Sequence, residues 1–203
     1  MLKISLITIL ILTCASFNLN AKVLNYSKVH SMAKTILEEG HYGFPSMKIN
    51  DIETFCPNYS NLDDDEKNDF FAHLITGISS YESDFDTANV FAENNGNTSA
   101  GLLQISYPSL SEEYKENGCS VVKSTEDLLD AKKNLQCGFA IIATLVKSRE
   151  YISNPEVGGA SSYWSTLRTP YDVFIKALNK TVTVGKKDII IKSIKKKYDK
   201  CNE

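Results

Sequence analysis

Residues 75–106 hold the side chains best suited to chemistry. Glu82 ends an apolar run, the acids Asp84, Asp86 and Glu93 follow it, and Thr98-Ser99-Ala100-Gly101-Leu102 leads to Gln104. Phe71, Ile75, Ile78 and Glu82 recur at helical spacing, which puts Glu82 on the stripe that faces the core. Burial there disfavours a carboxylate's charged form, and the negative end of a helix dipole does the same. Both raise the pKa toward the range in which a carboxyl group holds a proton it can donate, so Glu82 is the candidate general acid. The stretch up to Gly101 has little side-chain bulk, so backbone can come close to a ligand, and Gln104 adds an amide.

A helix starting at Asp63 must carry Glu82. Asp63 and Glu66 form a capping-box pattern, and Asp64 and Asp65 suit the positive end of the dipole. Upstream, Val29, Ala33, Ile36 and Leu37 mark a helix from Tyr26 that stops at Gly40, while residues 43–60, with Pro45 and Pro57, read as irregular. Downstream, residues 86–98 leave room for a small hairpin. Tyr107-Pro108 opens a short helix that Gly118 ends. Ser124 or Thr125 is expected to cap the core helix, whose apolar face comprises Leu128, Leu129, Leu135, Phe139, Ile142, Ala143 and Val146. Residues 161–168 read as one short helix, Pro170 starts another with Val173, Phe174, Ala177 and Leu178, and residues 181–184 alternate briefly. Seven lysines surround Ile190, Ile194 and Tyr198 in residues 186–200, an amphipathic helix with a solvated basic face. The expected class is mainly α, with at most a small β-hairpin.

At 203 residues and 42% hydrophobic content, the chain is long enough for one well-buried domain. Residues 1–21 carry Lys3, an apolar run at 4–13 and Ala21 at a plausible cleavage point, which reads as a signal peptide before a single domain at 22–203. Export to the periplasm or the medium follows; Cys14 stands in a poor lipoprotein context, so an anchor is not expected. Loss of Lys3 takes the formal charge from −3 to −4, which argues against nucleic acid as a partner. Cys56, Cys119, Cys137 and Cys201 remain, an even number in an oxidising compartment. Of three connectivities, Cys119 with Cys137 and Cys56 with Cys201 is preferred: the first closes a short loop, and the second ties the tail to the N-terminal part. No Cys, Asp or His stands at ligand spacing from His30 or His41, and His73 lies two and a half turns before Glu82. All three histidines read as surface or packing residues, and neither metal nor other cofactor is expected.

Glu82-Ser83, followed 22 residues after the Glu by Gln104 within Gly101-Leu102-Leu103-Gln104-Ile105, resembles the paired ES and GLMQ(I/V) motifs of the soluble lytic transglycosylase and goose-type lysozyme superfamily. Asn134-Leu135-Gln136-Cys137-Gly138 is a looser echo of the same pattern. The resemblance implies a lysozyme-like fold with a deep glycan cleft. It also implies cleavage of the β-1,4-glycosidic bond of a peptidoglycan strand by a monomer with Glu82 as acid and base. Ser83, Ser99, Gly101, Leu102 and Gln104 would meet the substrate, with Tyr163 or Trp164 near the reacting sugar. Where the goose-type pattern has an aspartate this chain has Ser106, so a second carboxylate would have to be Asp84, Asp86 or Glu93. Without one, the same glutamate would form a 1,6-anhydro product. Residues 74–114 hold no Lys or Arg, which suggests a glycan carrying amines left by N-deacetylation. The alternatives are an inactive glycan-binding wall protein and a chitosanase- or chitinase-like hydrolase.

Overall fold

The structure is a computed structural model and describes residues 22–175 and 180–202. The leader with Cys14 lies outside the described residues, as do Ala177 and Leu178.

Helix α1, Tyr26–Glu39, is capped by Asn25, which accepts from the Lys28 amide, and ends at Gly40 as its pattern predicts. Residues 43–60 are more ordered than their prolines suggest. They form the short helix α2, Ile52–Phe55, flanked by 3₁₀ turns at Phe44–Ser46 and Tyr59–Asn61. Helix α3, Asp64–Glu82, opens with both arms of the Asp63/Glu66 capping box. Every residue from Phe70 to Ser79 is buried, so α3 is surrounded over three turns rather than lying on the surface.

The expected hairpin is the start of a three-stranded antiparallel sheet in the order β1, Val90–Ala92; β2, Thr98–Ala100; β3, Ile105–Ser106. The helix expected from Tyr107 divides into a turn at Tyr107–Ser109 and α4, Glu112–Glu116, because Ser111 takes up extended backbone and caps α4 by accepting from the Tyr114 amide. The core helix α5 is Ala131–Arg149. Its cap is Asp130, not Ser124 or Thr125: Leu128 and Leu129 belong to a preceding 3₁₀ turn, and Asp130 is the extended residue whose carboxylate accepts from the Lys133 amide.

The C-terminal third departs furthest from its pattern. Residues 161–168 form two 3₁₀ turns, Ala160–Ser162 and Ser165–Leu167, with Trp164 extended between them. After Pro170 comes β4, Tyr171–Ile175, paired antiparallel with β5, Lys180–Val184, in place of the expected helix. Alternating β-branched residues such as Val182 and Thr183 favour the strand over the weak helical spacing. Helix α6, Lys187–Lys197, buries Ile190 and Ile194 and leaves Lys192, Lys196 and Lys197 exposed. It packs closely on α3, where a Cβ added at Gly77 would stand 3.0 Å from Ile190.

The fold is therefore mainly helical, with two small antiparallel sheets. Both preferred disulfides are present, Cys56–Cys201 closing a separation of 145 residues and Cys119–Cys137 one of 18. Among the described residues no helix is long and apolar enough to cross a membrane.

Candidate functional site

Glu82 is presented at a sharp end of α3. Asp84 and Phe85 both take left-handed backbone, with φ of 51° and 63°, so the chain turns away as soon as Ser83 has passed. Ser83 is buried and donates from Oγ to the Leu102 carbonyl at 2.9 Å, joining the helix end to the 101–104 turn. Gly101 sits at φ +74°, and a Cβ there would fall 2.0 Å from the Leu128 carbonyl oxygen. Asn134, fully buried on α5, holds this turn from below. It accepts from the Leu103 amide at 3.0 Å and donates to the carbonyls of Ala100 and Leu128 at 3.0 and 2.9 Å. Gln104 is left-handed too, at φ 47°, and its amide nitrogen donates to the Asn89 and Gly101 carbonyls at 3.1 and 2.9 Å. Such backbone persists only where its surroundings enforce it, and here they do so beside a cavity.

That cavity is about 590 Å³. Glu82 and Glu93 both line it, together with Ser99, Gln104, Tyr163 and Trp164. Among the described residues no Lys or Arg does so. Glu82 is largely buried; burial raises its pKa, and the Thr166 hydroxyl, donating to Oε1 at 2.7 Å, offsets only part of the rise. Glu93 follows β1 and accepts a hydrogen bond from the Ser99 hydroxyl. Trp164 is 2% exposed and donates from Nε1 to the Leu103 carbonyl at 2.8 Å, so it serves both as core and as wall. Burial raises the pKa of the Tyr163 phenol, and the Ser106 amide, which donates to its hydroxyl at 3.2 Å, offsets part of that rise. The arrangement offers a largely buried acid, a second carboxylate with its own donor, and an aromatic wall.

Six of the residues singled out from the sequence thus meet at one cavity. Ser83, Gly101 and Leu102 do not line it; they are buried parts of the frame under the turn. Asp84 and Asp86 do not line it either, and Asp86 instead accepts from the Ala88 amide in a local turn. Sequence reasoning missed Asn89, Phe91, Ser109 and Thr166. Phe91, 62% exposed at the cavity's edge, could have been found as the one aromatic residue of the sequence between Phe85 and Tyr107. Thr166 left no trace, since it lies 84 positions from its partner.

No family model and no curated protein matches the chain. Solved structures do. DslA, a Bdellovibrio protein, superposes in its wild-type form with a TM-score of 0.60 at 30% identity, covering 70% of this chain and 81% of DslA. The chain belongs to the DslA family. A DslA variant with one glutamate replaced by glutamine matches at a TM-score of 0.66 and 26% identity, over 86% of this chain and 91% of that one. A second Glu-to-Gln variant matches at 0.58 and 30%, over 70% and 81%. In DslA's own numbering the two replaced glutamates lie eleven positions apart.

A second polar cluster of this DslA-family fold lies further back on α3. His30 of α1 and Asp69 and His73 of α3 bring one potential ligand atom each within 4.8 Å of the others, which the linear spacing did not reveal. The two imidazoles are tilted by 33° with centroids 4.0 Å apart, closer than two rings stand when both bind one ion in their planes. His30 is 3.0 Å from Asp69, Lys34 is 3.3 Å from it, and Tyr26 reaches His73 Nδ1 at 2.7 Å. Burial pushes His73 down to about 4, with His30 adding to the shift, so it is neutral at physiological pH. The cluster reads as an ion-pair and stacking network that ties α1 to α3.

Proposed function

We propose that this protein cleaves the β-1,4-glycosidic bond of peptidoglycan strands, with Glu82 as general acid and Glu93 as the second carboxylate. The observation that carries the reading is the presence of both glutamates at one cavity in unlike environments. Glu82 is pushed toward its protonated form with no cation beside it, as donation to a leaving glycosidic oxygen requires. Glu93 accepts from the Ser99 hydroxyl, which holds its carboxylate in place to orient water or meet the sugar's positive charge. Two further points support the pair. Glu82 and Glu93 are eleven positions apart, the separation of the two glutamates replaced in the DslA variants, and the ES and GLLQI motifs resemble those of lysozyme-like enzymes.

In this reading Glu82 gives its proton to the leaving oxygen as the glycosidic bond breaks and positive charge grows on the sugar, Glu93 orients a water or stabilises that charge, and Glu82 regains its proton from the water as that water's oxygen bonds to the anomeric carbon. The lysozyme-like fold and its glycan cleft belong to the same proposal, with the exposed Phe91 and half-buried Tyr163 as apolar surfaces for sugar rings. Two carboxylates and, among the described residues, no Lys or Arg along the wall favour glycans whose N-acetyl groups have been removed to leave amines. Export of the mature domain places it with this substrate. Mass spectrometry of products from a defined glycan polymer is the test. Free reducing ends made by the wild type and lost in Glu82→Gln are expected. 1,6-anhydro ends would move the reaction to the lytic transglycosylase class, and cleavage undiminished by Glu82→Gln would sink the assignment.

A further inference from the structure

The chain contains only two arginines, Arg149 and Arg168, against twenty lysines, and both line one cavity of about 620 Å³. Arg149 is the last residue of α5, while Arg168 closes the second 3₁₀ turn of the segment 160–169. Both are exposed. Among the described residues neither forms an ion pair, although surface lysines such as Lys48, Lys115 and Lys132 do. Arg168 is held in place: its Nε donates to the Ser161 carbonyl at 3.1 Å, which leaves the terminal fork of the guanidinium outward. The facing wall is a closed turn. Asn154 and Gly158 exchange backbone hydrogen bonds of 2.8 and 2.9 Å, and the Asn154 side chain accepts from the amides of Glu156 and Val157.

This cavity adjoins the one that holds Glu82. Ser162 lines both, and the same short segment supplies Tyr163, Trp164 and Ser165 to the first and Ser161, Arg168 and Thr169 to the second. A polymer lying along Glu82 would therefore pass Ser162, and a branch leaving it there would enter the space between the arginines. The two cavities differ in sign, the first carrying two carboxylates and the second two guanidinium groups beside Glu156. A guanidinium presents paired donors that match a carboxylate in a way an ammonium cannot, which gives a reason for arginine at these two positions in a lysine-rich chain.

We propose that Arg149 and Arg168 form a subsite for the carboxylates on the side branch of muramic acid, in its lactyl group or its peptide stem. The inference rests on the glycan reading above. It assigns the backbone of the polymer to the Glu82 cavity and its acidic branches to the neighbouring one, so that a wall of mixed charge is sorted between two sites rather than repelled by the first.

The test separates the two readings by measuring binding with the Glu82→Gln protein, which removes cleavage from the comparison. Three soluble polymers serve as probes: glycan with peptide stems, glycan freed of stems but keeping lactyl carboxylates, and β-1,4-linked N-acetylglucosamine, which has neither. Arg149→Gln, Arg168→Gln and the double variant are compared with their parent at low and moderate salt. The double variant is expected to lose about tenfold in affinity for the stem-bearing polymer, less at higher salt because exposed charges are screened over about 8 Å, and nothing for the uncharged one. Arg149→Lys should restore only part of the loss. A loss confined to stem-bearing glycan assigns the peptide carboxylates, one confined to stem-free glycan, where the lactyl carboxylate is released from its amide bond, assigns the lactyl group, and one shared by both shows that either carboxylate fills the subsite. Equal effects on all three polymers, or none on any, would overturn the subsite even if cleavage at Glu82 stands. Arg149→Gln alters only a helix-end side chain, so it keeps the test readable should Arg168→Gln disturb the Ser161 contact.

Discussion

Two partly buried carboxylates of helix α3, Asp69 and Glu82, stand thirteen residues apart, and their surroundings shift them in opposite directions. At Asp69 burial acts to raise the pKa, but His30 at 3.0 Å and Lys34 at 3.3 Å outweigh it and hold the group below its ordinary value. At Glu82 burial raises the pKa and only a neutral hydroxyl opposes it. Burial alone therefore does not make a carboxylate a proton donor; burial without a cation does. The partners come from elsewhere in the chain, α1 in one case and residue 166 in the other.

The sharpest way to break this comparison is to remove each charge. Glu82→Gln keeps the shape and can still accept from Thr166, and it is expected to lower kcat by roughly 10³-fold, within the range general acids contribute. Steady-state cleavage of the polymer reads this directly. Glu93→Gln should lose less, about 10²-fold, and should leave the basic limb of the pH profile in place, since that limb reports Glu82. A profile whose basic limb moved with Glu93 instead would exchange the two roles. Asp69→Asn should do the reverse of Glu82→Gln. With Lys34 and His30 left without their carboxylate it should destabilise the fold by about 1–3 kcal/mol, read as a lower denaturation midpoint, while kcat is unchanged.

How much of this the sequence makes legible depends on the reach of each interaction. The capping box of α3, the Gly40 stop of α1 and the apolar face of α5 from Leu135 to Val146 are set within a turn or two and stand where the pattern puts them, while Leu128 and Leu129 fall in the turn before the helix. Glu82, Ser99 and Gln104 are close enough in sequence for one motif to hold them, and they share the cavity. The misreadings fall where long-range packing decides. Trp164 is drawn out of a helix by its bond to the Leu103 carbonyl 61 positions away, and β4 exists because β5 pairs with it. The His30–Asp69–His73 cluster was invisible for the same reason: its members meet only because α1 lies on α3. The motif residues Ser83, Gly101 and Leu102 teach the converse, since a motif can mark the frame of a site as readily as its surface.

The smallest effect concerns stability, and it isolates the environment of Glu82 from its chemistry. A carboxyl group whose folded pKa is raised above its unfolded value of about 4.3 binds its proton more tightly in the folded state. It therefore favours folding fully at pH below the unfolded value, and that advantage disappears as pH rises through the folded value, where a buried charge must be formed. Glutamine has no such dependence. The difference in midpoint between Glu82→Gln and wild type should thus rise from pH 4 to pH 7, by an amount equivalent to about 1 kcal/mol for each unit of pKa shift. Thermal denaturation of both proteins across that interval measures it, with Asp69→Asn as the opposite case: there the wild type should gain over its variant as pH rises, because a depressed carboxylate stabilises the fold only once ionised. Parallel curves for Glu82→Gln and wild type would mean that Glu82 titrates as an ordinary glutamate, and its case as the proton donor would then have to rest on position alone.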